Sequence, residues 1–406
     1  MYYKQPQYFG KFRCSGTDCT ANCCFGWYIN WTKSELDKIK LNPNCSPELA
    51  ELIEKSFIQF DEKKPNNYMV KFGEDGQCPC QTEEGLCRIQ KELGAEYLSN
   101  TCTVYPRYNS FYDKENDIVY RACYLSCQEI VRLLVNDEKA MDLVSIPIKE
   151  PKAQTVVYLD SDEDVLVNPI LKKRCEIFDF LYELIGDKKI PVETAIILGA
   201  LVAQKITQLS DRKQYDMISE ALQAFKKQIH SASALQSIEK IKPNYNVKFG
   251  VADKIIENAL DFRMTDVLKS ENGELDINRY IIGEQKLNEM MKDKPFWLRN
   301  IALNLILELC VPFKSKKHTI FENYSFFVAA IACVKLNAIA AAFAPEKLNI
   351  QTKGQTLHFE VIEKIYGLTG IISRRIFQSS QAFEKVTKVL NEFDMDSPAY
   401  LALLVK

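Results

Sequence analysis

Eleven of the 14 cysteines in this 406-residue chain fall between Cys14 and Cys127, and they open with Cys14, Cys19, Cys23 and Cys24 inside CSGTDCTANCCFGW. Thiols at that density bind metal, pair as disulfides or cycle electrons. The N-terminal MYYKQPQYFGKF has no basic segment followed by an apolar run and no small-residue cleavage site, so it does not read as a secretion signal. A reducing cytoplasm is therefore the expected compartment, and clustered cysteines there read as metal ligands or redox groups. A chain this long can bury a full core without disulfide staples, which places metal ahead of disulfides.

The spacing runs Cys14-x4-Cys19-x3-Cys23-Cys24 and then Cys78-x8-Cys87-x14-Cys102-x24-Cys127, with Cys45, Cys80 and Cys123 left over. A structural zinc site usually shows two close C-x2-4-C pairs, and the later group supplies one only if Cys123 joins Cys127. Thiols eight and fourteen residues apart must be gathered by the fold. That suits an iron–sulfur cluster, whose larger core accepts thiolates from separate loops, with zinc as the alternative. Adjacent Cys23 and Cys24 in an extended segment point to opposite faces, so both are not expected on one centre. A cluster needs about four thiolates, which leaves others for packing or redox roles. Cys175, Cys310 and Cys333 read as core residues.

Other chemistry is sparse. The C-x3-C-x2-C pattern of radical S-adenosylmethionine enzymes starts at Cys19 and Cys23 but reaches Gly26 where a third cysteine is required. No dinucleotide-binding glycine motif, P-loop or H-E-x-x-H occurs. His230, His318 and His358 lie scattered without ligand spacing and read as surface or packing residues. A net charge of −2 gives no footprint for nucleic acid or an anionic membrane. Ser325 to Ala344 is the longest apolar stretch, but Lys335 and Asn337 in its middle favour a buried helix over a membrane span.

The elements that must position the cysteines are short. Trp27 to Trp31 reads as a strand, Thr32 with Glu35 as a capping box for a helix to Lys40, and Pro47 as the start of a helix to about Phe60. Tyr68 to Phe72 and Ile118 to Tyr124 read as strands, and Leu86 to Leu93 as a helix stopped by Gly94. Ser126 with Glu129 reads as a second capping box, placing Cys127 in a first helical turn where the helix dipole lowers its pKa. The polar stretch from Asn136 to about Val165 reads as a linker with one strand at Thr155 to Leu159.

Beyond it the periodicity is helical: Ile170 to Ile185, Val192 to Leu209, Tyr215 to Ile229, Phe296 to Val311, Glu322 to Phe343, Phe359 to Ser373, Ala382 to Phe393 and Pro398 to Val405. The expected fold is mainly α. An irregular, cysteine-rich metal-binding domain with short strands (residues 1–136) and a linker (137–165) precede an all-helical domain (166–406).

At CTANCCFGWYINW, CPCQTEEGLCRIQKELGAEYLSNTCTVYPR and LSCQEIVRLL the chain resembles the flagellin lysine-N-methylase family, as do FENY at Phe321 to Tyr324 and the ending SPAYLALLVK. It departs from the family pattern at Cys80, which stands for an aromatic, at Gln128, which stands for a proline, and in the ISRRIF of Ile372 to Phe377. The resemblance implies a cytoplasmic enzyme that methylates surface lysines of flagellin, uses S-adenosylmethionine as methyl donor and carries an iron–sulfur cluster of the 4Fe–4S kind. It carries over Cys14, Cys19, Cys23, Cys24, Cys78, Cys87, Cys102 and Cys127 as candidate ligands. Cys78, Cys87 and Cys102 with one of Cys23 and Cys24 also match a broader zinc- or iron-chelating cysteine-cluster family and are the first choice; Cys80 could replace a neighbour.

Near these ligands Trp27, Tyr97, Tyr105 and Tyr108 could wall a cationic sulfonium or ammonium, although packing is the commoner role of such rings. Arg107 could clamp a carboxylate or cap backbone carbonyls. The helical half holds no catalytic constellation and is expected to present a surface to a protein substrate or to act structurally. The alternatives are a non-catalytic zinc- or iron-binding protein that docks a partner, or a redox protein cycling Cys23 and Cys24. Neither a nucleic-acid partner nor membrane insertion is expected.

Overall fold

The computed structural model describes residues 1–16, 19, 23–25, 29–60, 65–74, 76–148, 156–158, 161–260, 263–347, 361–379 and 381–406. Trp27 and His358 lie outside them. In chain order the first elements are β1 (Tyr2–Pro6), α1 (Tyr8–Lys11), β2 (Asn30–Thr32), α2 (Lys33–Lys40), α3 (Pro47–Ser56), β3 (Phe57–Gln59), β4 (Asn67–Val70), α4 (Arg88–Leu93), α5 (Asn100–Val104), β5 (Arg107–Asp113), β6 (Ile118–Cys123), α6 (Gln128–Asn136), β7 (Leu143–Pro147) and β8 (Val156–Tyr158). The helices α7 (Asp162–Val167), α8 (Arg174–Gly186), α9 (Val192–Asp211), α10 (Met217–Gln228), α11 (Ala232–Glu239), α12 (Tyr245–Glu257), α13 (Ile277–Met290), α14 (Trp297–Glu308), α15 (Ile320–Phe343), α16 (Val361–Ile372), α17 (Ala382–Glu392) and α18 (Pro398–Val405) follow. The molecule is mainly helical, with its sheets in the N-terminal part, as expected.

Local signals explain many of these boundaries. Thr32 accepts from the Glu35 amide while Glu35 accepts from the Thr32 amide, so the expected capping box starts α2. Ser46 caps α3 with Pro47 in its first turn. That helix stops at Ser56 rather than near Phe60, because Phe57–Gln59 leaves to pair with β4 and Phe57 joins a buried cluster. Gly94, with φ of 102°, ends α4. The second capping box is not formed: Ser126 Oγ instead bonds Tyr105 Oη at 3.0 Å, and Cys127 occupies the N-cap of α6 without a side-chain cap.

Two sheets organise the first part. A small antiparallel sheet runs β2-β4-β3, and a mixed sheet runs β7-β1-β6-β5-β8. The stretch expected as a linker supplies both outer strands of the latter. β7 pairs antiparallel with β1, and β8, the one strand expected there, pairs parallel with β5.

Two apolar cores result. The smaller one is built on Ile29, Trp31, Leu36, Ile39, Leu49, Ile53, Phe57 and Val70, and includes Cys78 and Cys80. The larger one joins Tyr8, Phe111 and Tyr120 of the mixed-sheet region to the helices, so it takes residues from both sides of the expected boundary at 136. Its axis is α15, buried along nearly its whole length and packed on α9, α12, α13, α14, α16, α17 and α18. Among the described residues α9 and α15 are the two helices long and apolar enough to cross a membrane. Both are mostly enclosed by protein, which fits a core role for the Ser325 to Ala344 stretch. Helices α11, α12 and α13 go beyond the sequence expectation; α12 and α13 bury Phe249, Val251, Tyr280 and Leu287 against the core.

Candidate metal centre

The cysteine loops are fastened by backbone bonds before any ligand is considered. The Cys78 amide donates to the Cys24 carbonyl at 2.9 Å, and Phe25 forms an antiparallel bridge with Gln77. Gly76, with φ of 74°, makes the tight turn that brings Gln77 there, and its missing side chain leaves room for the Phe25 ring. After Cys78 the chain folds back on itself: the Arg88 amide donates to the Cys80 carbonyl at 2.7 Å, and Gln81 bridges Cys87. Cys87 becomes the N-cap of α4. Ser99 caps α5, its hydroxyl accepting from the Cys102 amide at 3.1 Å.

Six thiols, those of Cys23, Cys24, Cys78, Cys80, Cys87 and Cys102, lie close enough to act on one another electrostatically. Within two adjacent pairs the proton is shared unequally. The Cys24 thiol hydrogen-bonds Cys23 and favours its thiolate, while Cys80 does the same for Cys78. The donors of both pairs, Cys24 and Cys80, are pushed far up by that bond and by burial. Burial raises Cys87, and it carries Cys102 up to about 12. Cys127 corrects the sequence expectation: burial raises its thiol well above the ordinary value, outweighing the Ile130 and Glu129 amides at the helix end.

Of the eight candidate ligands, five fall in this group of six. Cys80, 2 % exposed, is the member outside the candidate set, and its C-x-C spacing with Cys78 is the signal for it. Cys19 and Cys127 sense each other beside the group, Cys127 senses Cys23, and the Cys19 thiol bonds Gln128 Oε1 at 3.7 Å. Cys14 is exposed, and its sulfur accepts from the Gly16 amide at 3.4 Å. Cys123 and Cys333 are wholly buried in the larger core, as is Cys310. No disulfide joins any of the fourteen cysteines.

Among the described residues no three His, Cys, Asp or Glu side chains close around one point as ligands of a single ion do. The chemistry of the donor set suits a polynuclear iron–sulfur core: it is all thiol and spread over loops, with Cys78 and Cys80 buried and Cys23, Cys24, Cys87 and Cys102 half-buried. Such a core holds its thiolates farther apart than a lone ion does, and soft sulfur donors are its usual ligands.

Among the described residues, the nearby Tyr97, Tyr108 and Arg107 are engaged in packing. Lys38 Nζ sits 4.5 Å from the centre of the Tyr97 ring, and Tyr108 stacks on Tyr124 at 4.2 Å. Arg107 donates to the Phe12 carbonyl at 3.3 Å and lies over the Phe12 ring, so it caps backbone. His230 pairs with Asp187, and His318 with Glu384 against Phe383. A buried polar network behind the thiols escapes sequence reasoning, because its members are far apart in the chain. Glu308 accepts from the Leu125 amide at 3.0 Å, from Gln378 Nε2 at 2.9 Å and from Ser373 Oγ at 3.3 Å, and burial raises its pKa.

Known proteins share much of this chain. The family model described as the FliB lysine N-methylase C-terminal domain matches residues 178–404. A lysine-N-methylase of Salmonella typhimurium (strain LT2) is 26% identical over 248 residues, which cover 60% of this chain and 58% of that protein; the corresponding Salmonella choleraesuis protein matches to the same extent. The flagellar biosynthetic protein FliU of Salmonella muenchen is 31% identical over 140 residues, 34% of this chain and 80% of that protein. No solved structure matches. Since the family model spans more than half of its length, the chain belongs to the FliB lysine N-methylase family.

Proposed function

We propose that the protein transfers methyl groups from S-adenosylmethionine to lysine side chains of flagellin and holds an iron–sulfur cluster in its cysteine loops. Family membership over residues 178–404 carries this reading, supported by the names of the lysine-N-methylase and flagellar biosynthetic relatives. The six-thiol group supports the cluster. Cys78, Cys87, Cys102 and one of Cys23 and Cys24 are the first-choice ligands, Cys80 is the alternate, and Cys14, Cys19 and Cys127 complete the candidate set. The reading places the reaction in the cytoplasm, where thiols stay reduced.

An iron–sulfur cluster, when bound, supplies a redox-active and Lewis-acidic iron centre. The chain's own contribution begins with shielding: the small core encloses Cys78 and Cys80, keeping water from the thiolates. A free lysine has a pKa of about 10.4, so presenting a neutral amine near pH 7 costs roughly 4.6 kcal/mol. The protein must offset that by desolvating the amine or accepting its proton, and must align the nitrogen with the donor methyl. The helical half, which the family model covers, is the surface assigned to the protein substrate.

Purification without oxygen, followed by visible absorption and iron, sulfide and zinc analysis, tests the cluster. Incubation with S-adenosylmethionine and flagellin, followed by intact mass, tests the transfer. The expected result is a coloured protein and flagellin heavier by whole methyl increments. A colourless zinc protein that leaves flagellin unchanged would instead favour a non-catalytic metal-binding role.

A further inference from the structure

The ISRRIF segment forms a π-helical turn, Ser373–Phe377, at the end of α16. Such turns are uncommon and recur at functional sites. Several contacts fix this one. Ser373 and Gln378 both hold Glu308, Lys314 Nζ donates to the Phe377 carbonyl at 3.2 Å, and a Cβ at Gly370 would stand 3.1 Å from the Ser126 carbonyl oxygen. From this base Arg374 reaches the cysteine loops. Its Nη1 donates to the Phe25 carbonyl and its Nη2 to the Ser126 carbonyl, each at 3.2 Å. Phe25 follows Cys24 directly, and Ser126 precedes Cys127. Arg375 lies over the ring of the same Phe25. The Arg374 charge is felt by the Cys23 thiol and by Tyr105, whose hydroxyl also meets Ser126.

We propose that Arg374 is a positioning residue for the metal centre: it ties the Cys23–Cys24 loop to the start of α6 and supplies, from the helical half, positive charge beside the thiolates. This rests on the iron–sulfur reading above. Four thiolates around an iron–sulfur core leave net negative charge, and one-electron reduction adds to it. A fixed cation favours the more negative state, so Arg374 raises the reduction potential. Its bonds to two carbonyls are those that a planar, forked guanidinium makes and a lysine cannot fully copy.

The test is a redox titration of the anaerobically purified full chain, followed by visible absorption, for wild type, Arg374→Gln, Arg374→Lys and Arg375→Gln. Arg374→Gln is expected to make reduction about tenfold less favourable, a shift of about 59 mV for one electron. Arg374→Lys should restore most of that shift because it keeps the charge, and Arg375→Gln should change little. An unmoved potential in a coloured Arg374→Gln protein overturns the proposal, as does an equal shift in Arg375→Gln. Where Arg374→Gln retains no iron, Arg374→Lys decides. Iron retained at the wild-type potential supports the charge role, and iron lost from both variants overturns it in favour of a purely structural bridge. A wild-type protein without a chromophore defeats the iron–sulfur reading and the proposal with it, an outcome distinct from an unmoved potential.

Discussion

Cys78 donates its amide to the carbonyl of Cys24 at 2.9 Å, and this bond joins the two halves of the cysteine group. It fixes backbones rather than sulfurs. The loops are therefore held together by the protein's own hydrogen bonds, and the thiols that line them are brought into one electrostatic neighbourhood.

Cys80 is the first consequence. It lies inside that neighbourhood, hydrogen-bonded to Cys78 and sensing Cys87 and Cys102. Cys80→Ser is expected to lower bound iron and sulfide, though less than Cys78→Ser does, because Cys78 is a first-choice ligand and Cys80 the alternate. Cys333, buried in α15 with its thiol on the Ala252 carbonyl, is the control, and Cys333→Ser should leave metal content unchanged. Wild-type iron in Cys80→Ser would confine Cys80 to packing.

Much of this arrangement is legible in the sequence, and the reasons differ by element. Capping residues announce α2 and α3, and apolar periodicity announces most of the helical half, because both are local signals. The Ser126 box fails because tertiary structure gives the Ser126 hydroxyl another partner, Tyr105. β7 reads as linker because its burial is slight, and only its pairing with β1 defines it. The density of thiols points to a metal centre, and the C-x-C spacing with Cys78 is a local signal for Cys80, but the reach of Arg374 depends on how distant loops fold together, which no spacing encodes.

Gly370 marks where α16 rests on the loop before α6. A methyl group there would press on backbone oxygens, 3.1 Å from that of Ser126 and 3.5 Å from that of Leu125, and backbone cannot rotate away. Gly370→Ala is expected to destabilise the protein by about 1–3 kcal/mol despite the better helix propensity of alanine. Urea denaturation of the purified variant measures this, and unchanged stability would show that α16 can shift without cost.

Tyr8 ties the N-terminal segment to α14. Its hydroxyl donates to Asn304 Oδ1 at 2.5 Å and accepts from the Cys123 amide at 2.9 Å, while Asn304 donates to the Cys123 carbonyl at 3.1 Å. Tyr8→Phe removes one oxygen and leaves a buried amide and a buried carbonyl oxygen each short of a partner. The expected cost is about 1–3 kcal/mol. The same denaturation assay checks it, and a loss well under about 1 kcal/mol would mean that water takes over the two groups.

Lys248 supplies the pH dependence. It lies on α12, 4 % exposed, and among the described residues its buried Nζ has no hydrogen-bond partner. Burial, with Lys335 adding repulsion against the opposing pull of Glu284 and Glu193, lowers its pKa from 10.5 to about 8. The folded state therefore releases this proton more readily than the unfolded state. Between about pH 8 and 10.5 the unfolded chain binds more protons, so this residue's contribution to stability rises with pH across that window and is lost as pH falls through the folded pKa. At pH 7 the buried charge costs roughly 3 kcal/mol, since each tenfold change in proton affinity is worth about 1.4 kcal/mol. Lys248→Met, which keeps the length and removes the charge, is expected to be more stable than wild type near pH 7 by a few kcal/mol, with the gain shrinking as pH approaches 10.5. Paired urea titrations near pH 7 and about pH 10 measure both ends of the window. A Lys248→Met protein that is less stable than wild type near pH 7 would show that the ammonium is stabilised in place by Glu193 and Glu284.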